Sequence, residues 1–313
     1  MHILITGSAG FIASHLVDHI LGLGHSVTGI DNFITGSPKN IEQLKGNPQF
    51  HFIETDILEF DYRIIKEKVD IVFHMASPAS PIQYKKYPIE TLQVNSVGTK
   101  QALDFATDKR ALLVYASTSE VYGDPLVHPQ VEWYWGNVNP NGVRSCYDEA
   151  KRFGEAMCMS YVRTKKTNVR IARIFNTYGP RMDICDGRVV SNFIVQALKN
   201  ETITIYGTGE QTRSFCYVSD LVNGLWALAT KDVKTGEVVN LGNPKEMSIL
   251  EIANKIKSLI QSTSLLAKQS IGLDDPLKRK PDISKAKELL DWEPSVSIEE
   301  GLHLAIEYFK TVI

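Results

Sequence analysis

The chain lacks most of what would mark a secreted, metal-bound or membrane-spanning protein. Its four cysteines (Cys146, Cys158, Cys185 and Cys216) form no C-x-x-C pair, which argues for reduced thiols and against a disulfide framework or a zinc site. No metal ligand set is expected. Apolar runs are short: Ala111 to Ala116 is strand-sized, far below the roughly 20 residues of a membrane span. Met1 leads straight into His2-Ile3-Leu4-Ile5 without the basic and apolar regions of a signal peptide, so a cytoplasmic protein with no membrane partner is expected. Neither charge dominates. Lys and Arg number 34 against 36 Asp and Glu, a net charge of -2, so no global basic field draws in nucleic acid and a phosphate partner needs a local site.

What is present alternates. Apolar runs at His2–Thr6, Ser26–Ile30, Phe50–Ile53, Asp70–His74, Ala111–Ala116, Val169–Ile174 and Val238–Leu241 are separated by segments of helical length. That pattern predicts an α/β protein with a doubly wound, Rossmann-type parallel sheet. From about Gly179 the alternation breaks into stretches rich in Gly, Pro, Arg and Asn. The expected organisation is a dinucleotide-binding domain over 1–178, with 215–241 returning to it, and a smaller, discontinuous α/β substrate domain over most of 179–313. Helical spacing recurs at Ser191–Leu198 and Leu250–Ile260, and Thr202–Tyr206 reads as a short strand outside the main sheet.

The first run ends in Gly7-Ser8-Ala9-Gly10-Phe11-Ile12, a glycine turn opening a helix. Gly7 and Gly10 leave room for a pyrophosphate, and the amides at Phe11 and Ile12 face it with the positive end of the helix dipole. Asp31 lies 24 positions past Gly7, where a carboxylate would hold the adenosine ribose hydroxyls; followed by Asn32 and no Arg, it disfavours a 2′-phosphate. NAD is therefore the expected cofactor. Ligands of such sheets sit beyond the carboxyl ends of the strands. Asp56 and Ile57 are expected near the adenine, Ala76, Ser77, Pro78 and Ser80 in a loop beside the cofactor, and Ser117 to Gly123 at its nicotinamide end. His74 reads as a satisfied strand-end histidine.

Tyr147 and Lys151 stand four residues apart, hence on one helix face. An ammonium near a phenol favours the phenolate, which can take a proton from an alcohol.

Taken together, the glycine turn, Thr118-Ser119-Glu120-Val121-Tyr122-Gly123, the Tyr147/Lys151 pair, Arg173 to Arg181, Asp186 to Asn192 and Lys278 to Asp282 resemble the extended short-chain dehydrogenase/reductase superfamily, and within it the UDP-glucuronate decarboxylases. The resemblance is nearly full length. One departure is Ala13, where many relatives carry Gly. It implies that UDP-glucuronate is oxidised at C4, loses carbon dioxide as a β-keto acid, is protonated at C5 and is reduced again at C4 to UDP-xylose. Tyr147 would move the hydroxyl proton, Lys151 would lower its pKa and hold the nicotinamide ribose, and Thr118 would orient the hydroxyl. Ser119-Glu120 stands where the similar 4,6-dehydratases carry an Asp-Glu pair, so one carboxylate is left for the hexuronate site, and Arg279 would act beside the substrate carboxylate. For the UDP moiety the resemblance implies Asn176, Arg181, Arg188, Val189, Asn192, Tyr206, Gln211 and Arg213, with Arg213 in a flexible polar loop. It also implies a homodimer built on the helices of Gln93–Ala106 and Tyr147–Tyr161. A 4,6-dehydratase or 4-epimerase, and a non-catalytic NAD-sensing regulator, are the competing readings.

Overall fold

A computed structural model describes residues 1–270, 276 and 278–313. In chain order it contains β1 (His2–Thr6), α1 (Phe11–Gly22), β2 (Ser26–Asp31), β3 (Phe50–Glu54), β4 (Ile71–His74), α2 (Pro81–Lys86), α3 (Pro88–Gln93), α4 (Thr99–Lys109), β5 (Leu112–Thr118), α5 (Ser145–Lys165), β6 (Val169–Ile174) and β7 (Thr177–Tyr178). The second half adds α6 (Val189–Leu198), β8 (Ile203–Tyr206), β9 (Thr212–Ser214), β10 (Cys216–Tyr217), α7 (Val218–Thr230), β11 (Val238–Leu241), β12 (Glu246–Ser248), α8 (Ile249–Ile260), β13 (Leu266–Gln269), β14 (Lys278–Arg279), α9 (Ser284–Leu290) and α10 (Ile298–Val312).

The seven apolar runs become one parallel sheet in the order β3-β2-β1-β4-β5-β6-β11. The order reverses direction between β1 and β4, where a ligand crevice is expected. β5 is buried at all seven positions, as a central strand covered on both faces must be. Two apolar clusters lie on its faces, one through Ile3, Ile5, Val114 and α7, the other through Leu4, Val72, Leu113 and α4. β8 pairs with β13 outside the main sheet, as its sequence predicts.

Two glycines fix the geometry around the crevice. Gly7 has φ +72°, and a Cβ there would lie 2.8 Å from Ala76 Cα, so only glycine lets the β1–α1 turn touch the loop after β4. On α5, a Cβ at Gly154 would sit 2.0 Å from the Tyr115 hydroxyl. The helix therefore rides directly on β5 and carries Lys151 and Tyr147 one and two turns back towards the strand end. His74 donates and accepts between Thr6 Oγ1 (2.9 Å) and Thr99 Oγ1 (3.1 Å), the satisfied role expected of it.

Candidate active site

The carboxyl ends of β1, β4, β5 and β6 open into one cavity of about 950 Å³. Gly7, Gly10, Phe11, Ile12 and Ser77 line one side, and α1 starts with no side-chain cap, which leaves its first amides for a phosphate. These residues fit a dinucleotide. At the adenosine end the expected residues are held by contacts within the chain itself. Asp31, Asn32, Asp56 and Ile57 are not among the lining residues, and neither are Ala76 and Pro78. The Asp31 carboxylate already accepts from Ala9 N (2.9 Å) and Phe33 N (2.8 Å), with Gly36 folded against it. Burial raises its pKa, and those amides hold it down only in part. Asn32 donates to Asp56 at 2.9 Å, closing that pair on itself, and Ile57 packs under Gly98.

Tyr147 and Lys151 share a face of α5 as their spacing requires, with Lys151 Nζ 5.9 Å from the Tyr147 ring centre. The ammonium donates to Ala116 O at 2.9 Å. The expected lowering of the Tyr147 pKa by Lys151 is not what this structure holds. Burial pushes the phenol well above its usual value, and the Thr118 hydroxyl, hydrogen-bonded to it, recovers only part of the shift. Lys151 is itself pushed down to about 7 by burial, so its charge is too weak and too distant to win. Tyr84 of α2 stacks on Tyr147 with ring centres 5.0 Å apart and planes within 6°.

Beyond Thr118 the chain turns, and Thr118 Oγ1 accepts from Glu120 N at 3.2 Å. Arg279 arrives from β14 with 1% of its surface exposed and donates to Ser119 Oγ (2.9 Å), Glu120 Oε1 (2.8 Å) and Gly123 O (2.9 Å). Arg144, just ahead of α5, donates to Glu120 Oε2 from the other side at 2.5 Å. Burial raises the Glu120 carboxyl, and the two guanidiniums overcome it and hold the group well below the usual range. Asp148 lies 3.9 Å from Arg144 Nε; burial and then the Glu120 charge push its carboxyl upward.

Thr118, Ser119, Glu120, Tyr147, Lys151 and Arg279, the residues expected from the sequence, line one cavity. Arg144, Asp148 and Tyr84, which stand beside them, were not expected. The i,i+3 step from Arg144 to Tyr147 and the i,i+4 step to Asp148 were the available signal, since both put the side chains near one face.

Of the expected substrate contacts, Ser80, Asn176, Arg181, Arg188, Val189, Asn192, Tyr206, Gln211 and Arg213 line the same cavity. Several are already engaged: Arg188 grips Asp186 (2.6 and 2.7 Å), Arg181 pairs with Asp18 of α1, Asn192 donates to Gly187 O at 3.1 Å and Gln211 donates to Tyr206 O. Arg213 does not sit in a flexible loop. It belongs to β9, between β12 and β14, is 7% exposed, and donates to Pro276 O at 2.6 Å.

Fold and site define a dinucleotide-binding protein whose tyrosine, threonine and buried lysine meet at the carboxyl end of a parallel sheet. The chain belongs to the NAD dependent epimerase/dehydratase family, whose sequence profile matches residues 3–242. It is similar to UDP-glucuronic acid decarboxylase 1 of Xenopus tropicalis, 54% identical over 308 residues that cover 98% of this chain and 72% of that one. It also resembles UDP-glucuronic acid decarboxylase 6 of Arabidopsis thaliana, 52% identical across 99% of this chain and 89% of that one. Among solved structures, UDP-glucuronic acid 4-epimerase from Bacillus cereus in complex with UDP-glucuronic acid and NAD superposes with a TM-score of 0.92 at 31% identity over 100% of both chains.

Proposed function

We propose that the protein is an NAD-dependent UDP-glucuronate decarboxylase that yields UDP-xylose. The observation that carries this reading is Glu120, the one carboxylate on the turn that follows β5, clamped by Arg279 beside Thr118 and Tyr147. Expelling a C6 hydroxyl as water needs an acid and a base, and Ser119 supplies neither. The relatives named above support the same substrate.

Only as the phenolate can Tyr147 take the proton of the C4 hydroxyl, so the loaded site must bring enough positive charge to the phenol to outweigh its burial, and Thr118 beside it orients that hydroxyl. When bound, NAD supplies a hydride acceptor for C4 and later a donor to the same carbon, so it is regenerated each cycle. With C4 at the ketone level the sugar is a β-keto acid. The bond from C5 to the carboxyl carbon breaks, its electron pair forms the C4 enolate, and carbon dioxide leaves. C5 then takes a proton from a water held by Glu120, a proton from bulk solvent neutralises the hydroxide left behind, and Arg279 faces the carboxylate before it departs. Tyr147 returns its proton to the C4 oxygen. Gly7, Gly10, Phe11, Ile12, Ser77 and Lys151 would hold the dinucleotide, with the carboxylate of Asp31 on the side of the adenosine ribose. Arg188, Arg213, Asn176, Asn192, Gln211 and Tyr206 hold the UDP part, with guanidiniums on phosphate and the tyrosine on the base.

Residues 1–178 with 215–241 form the dinucleotide half and most of 179–313 the substrate half. A homodimer through α4 and α5 is supported by apolar side chains left bare on that side, with Val97 and Phe153 each about half exposed. No helix among the described residues is long and apolar enough to cross a membrane, and four free thiols agree with a cytoplasmic site of action.

The test is incubation of purified protein with UDP-glucuronate, with and without added NAD. Carbon dioxide and UDP-xylose are expected. Loss of water or an isomer of the substrate in their place would overturn the reading.

A further inference from the structure

Glu120 is nearly enclosed, with 17% of its side chain exposed, and two cations reach it from separate elements. Arg279 comes from β14. Arg144 comes from the turn before α5, where its own carbonyl accepts from Tyr147 N (2.9 Å) and Asp148 N (3.0 Å), so it moves with the helix that carries Tyr147. Its guanidinium also lies 6.0 Å over the Tyr84 ring.

One guanidinium serves one carboxylate well and two poorly. Under the reading above, Arg279 must also meet the carboxylate of the hexuronate. When it turns to that group, Glu120 loses one of its two counter-charges inside a dry pocket, where an unpaired carboxylate takes up a proton instead of remaining charged.

We infer that Arg144 is a positioning residue that keeps Glu120 ionised and in place while Arg279 engages the substrate carboxylate. The placement of the two cations fits this division of labour. Arg144 is anchored on α5 and not on β14, so a shift of Arg279 leaves it where it is. Asp148 stands off from Arg144 Nε at 3.9 Å, whereas Glu120 Oε2 is at 2.5 Å from the guanidinium. The groups facing Glu120 are then Arg279 from β14, Arg144, Tyr147 and Asp148 from α5 and its leading turn, and Tyr84 from α2.

The inference rests on the decarboxylase reading, and the experiment separates the two. Wild type, Arg144→Met and Arg144→Lys are assayed for carbon dioxide release from UDP-glucuronate across pH, with NAD binding measured on each. The pH profile of kcat reports groups in the substrate complex, where Arg144 is the remaining cation. For Arg144→Met the acid limb should move up by about one pH unit or more, so that at a pH on the limb kcat falls about tenfold or more, with NAD affinity kept; Arg144→Lys should recover most of the shift. If Arg144→Met does not fold, Arg144→Gln, which keeps a donor towards Glu120 without the charge, takes its place and the same upward shift is expected. An acid limb identical to wild type in the folded variants overturns the role of Arg144. No carbon dioxide from wild type overturns the decarboxylase reading instead.

Discussion

The Arg279 guanidinium donates to Glu120 Oε1 at 2.8 Å, joining two residues 159 positions apart in the chain. Their pairing sets the first expectation. Glu120→Ala leaves two buried guanidiniums facing each other, which should cost about 3–5 kcal/mol of stability because a broken buried pair strands its partner charge. Denaturant unfolding of wild type and variant measures it. Glu120→Gln, which still accepts hydrogen bonds, should lose less.

Tyr147→Phe removes the group that takes the C4 hydroxyl proton while leaving the ring stacked on Tyr84. Turnover should fall by about 10²–10⁴-fold, the usual weight of one acid/base group. A single-turnover assay that follows reduced nicotinamide should find no first hydride transfer, and full activity in that assay would remove Tyr147 from the centre of the site.

Lys151 carries a pH signature. Its folded pKa, about 7, lies below the ordinary lysine value because burial disfavours the ammonium. Between about pH 7 and 10.4 the unfolded chain binds the extra proton, so stability rises with pH through that window, by at most about 1.4 kcal/mol per unit. Below the window the full penalty of the buried charge is present. Unfolding free energies of wild type and Lys151→Met, compared across pH, should differ by this slope, and parallel curves would refute it.

At Gly154 an added methyl meets the Tyr115 hydroxyl. Gly154→Ala should therefore cost about 1–3 kcal/mol as overpacking and lower kcat by tilting α5. The double variant with Tyr115→Phe should regain only part of both, since the ring Cζ would still lie 2.5 Å from the added methyl, which thermal unfolding and steady-state kinetics on the pair will report.

Much of this was legible in the chain. All seven main-sheet strands, β8 and the spans of α6 and α8 follow from apolar period alone, because a strand buried on both faces must be continuously apolar. The Thr118–Glu120 strand end and the Tyr147/Lys151 face were legible for the same local reason. What could not be read depends on distance through space. Arg144 finds Glu120 only once α5 folds onto β5, and Arg213 joins a strand because β12 and β14 bracket it. The sign of the Tyr147 shift was also hidden: spacing fixes which charge is near, whereas burial, which here outweighs it, is a property of the whole fold.

The long reach from Glu120 to Arg279 has a consequence in time. A ribosome adding about 5–20 residues per second makes the intervening 159 residues in roughly 8 to 32 s. From the moment Lys151 is added until β14 is made, the nascent chain owns the glycine turn, the tyrosine and the lysine but not the residue that completes the carboxylate clamp. A half-made copy, or one broken off before β14, should therefore keep the strands of a dinucleotide binder while remaining silent towards the sugar.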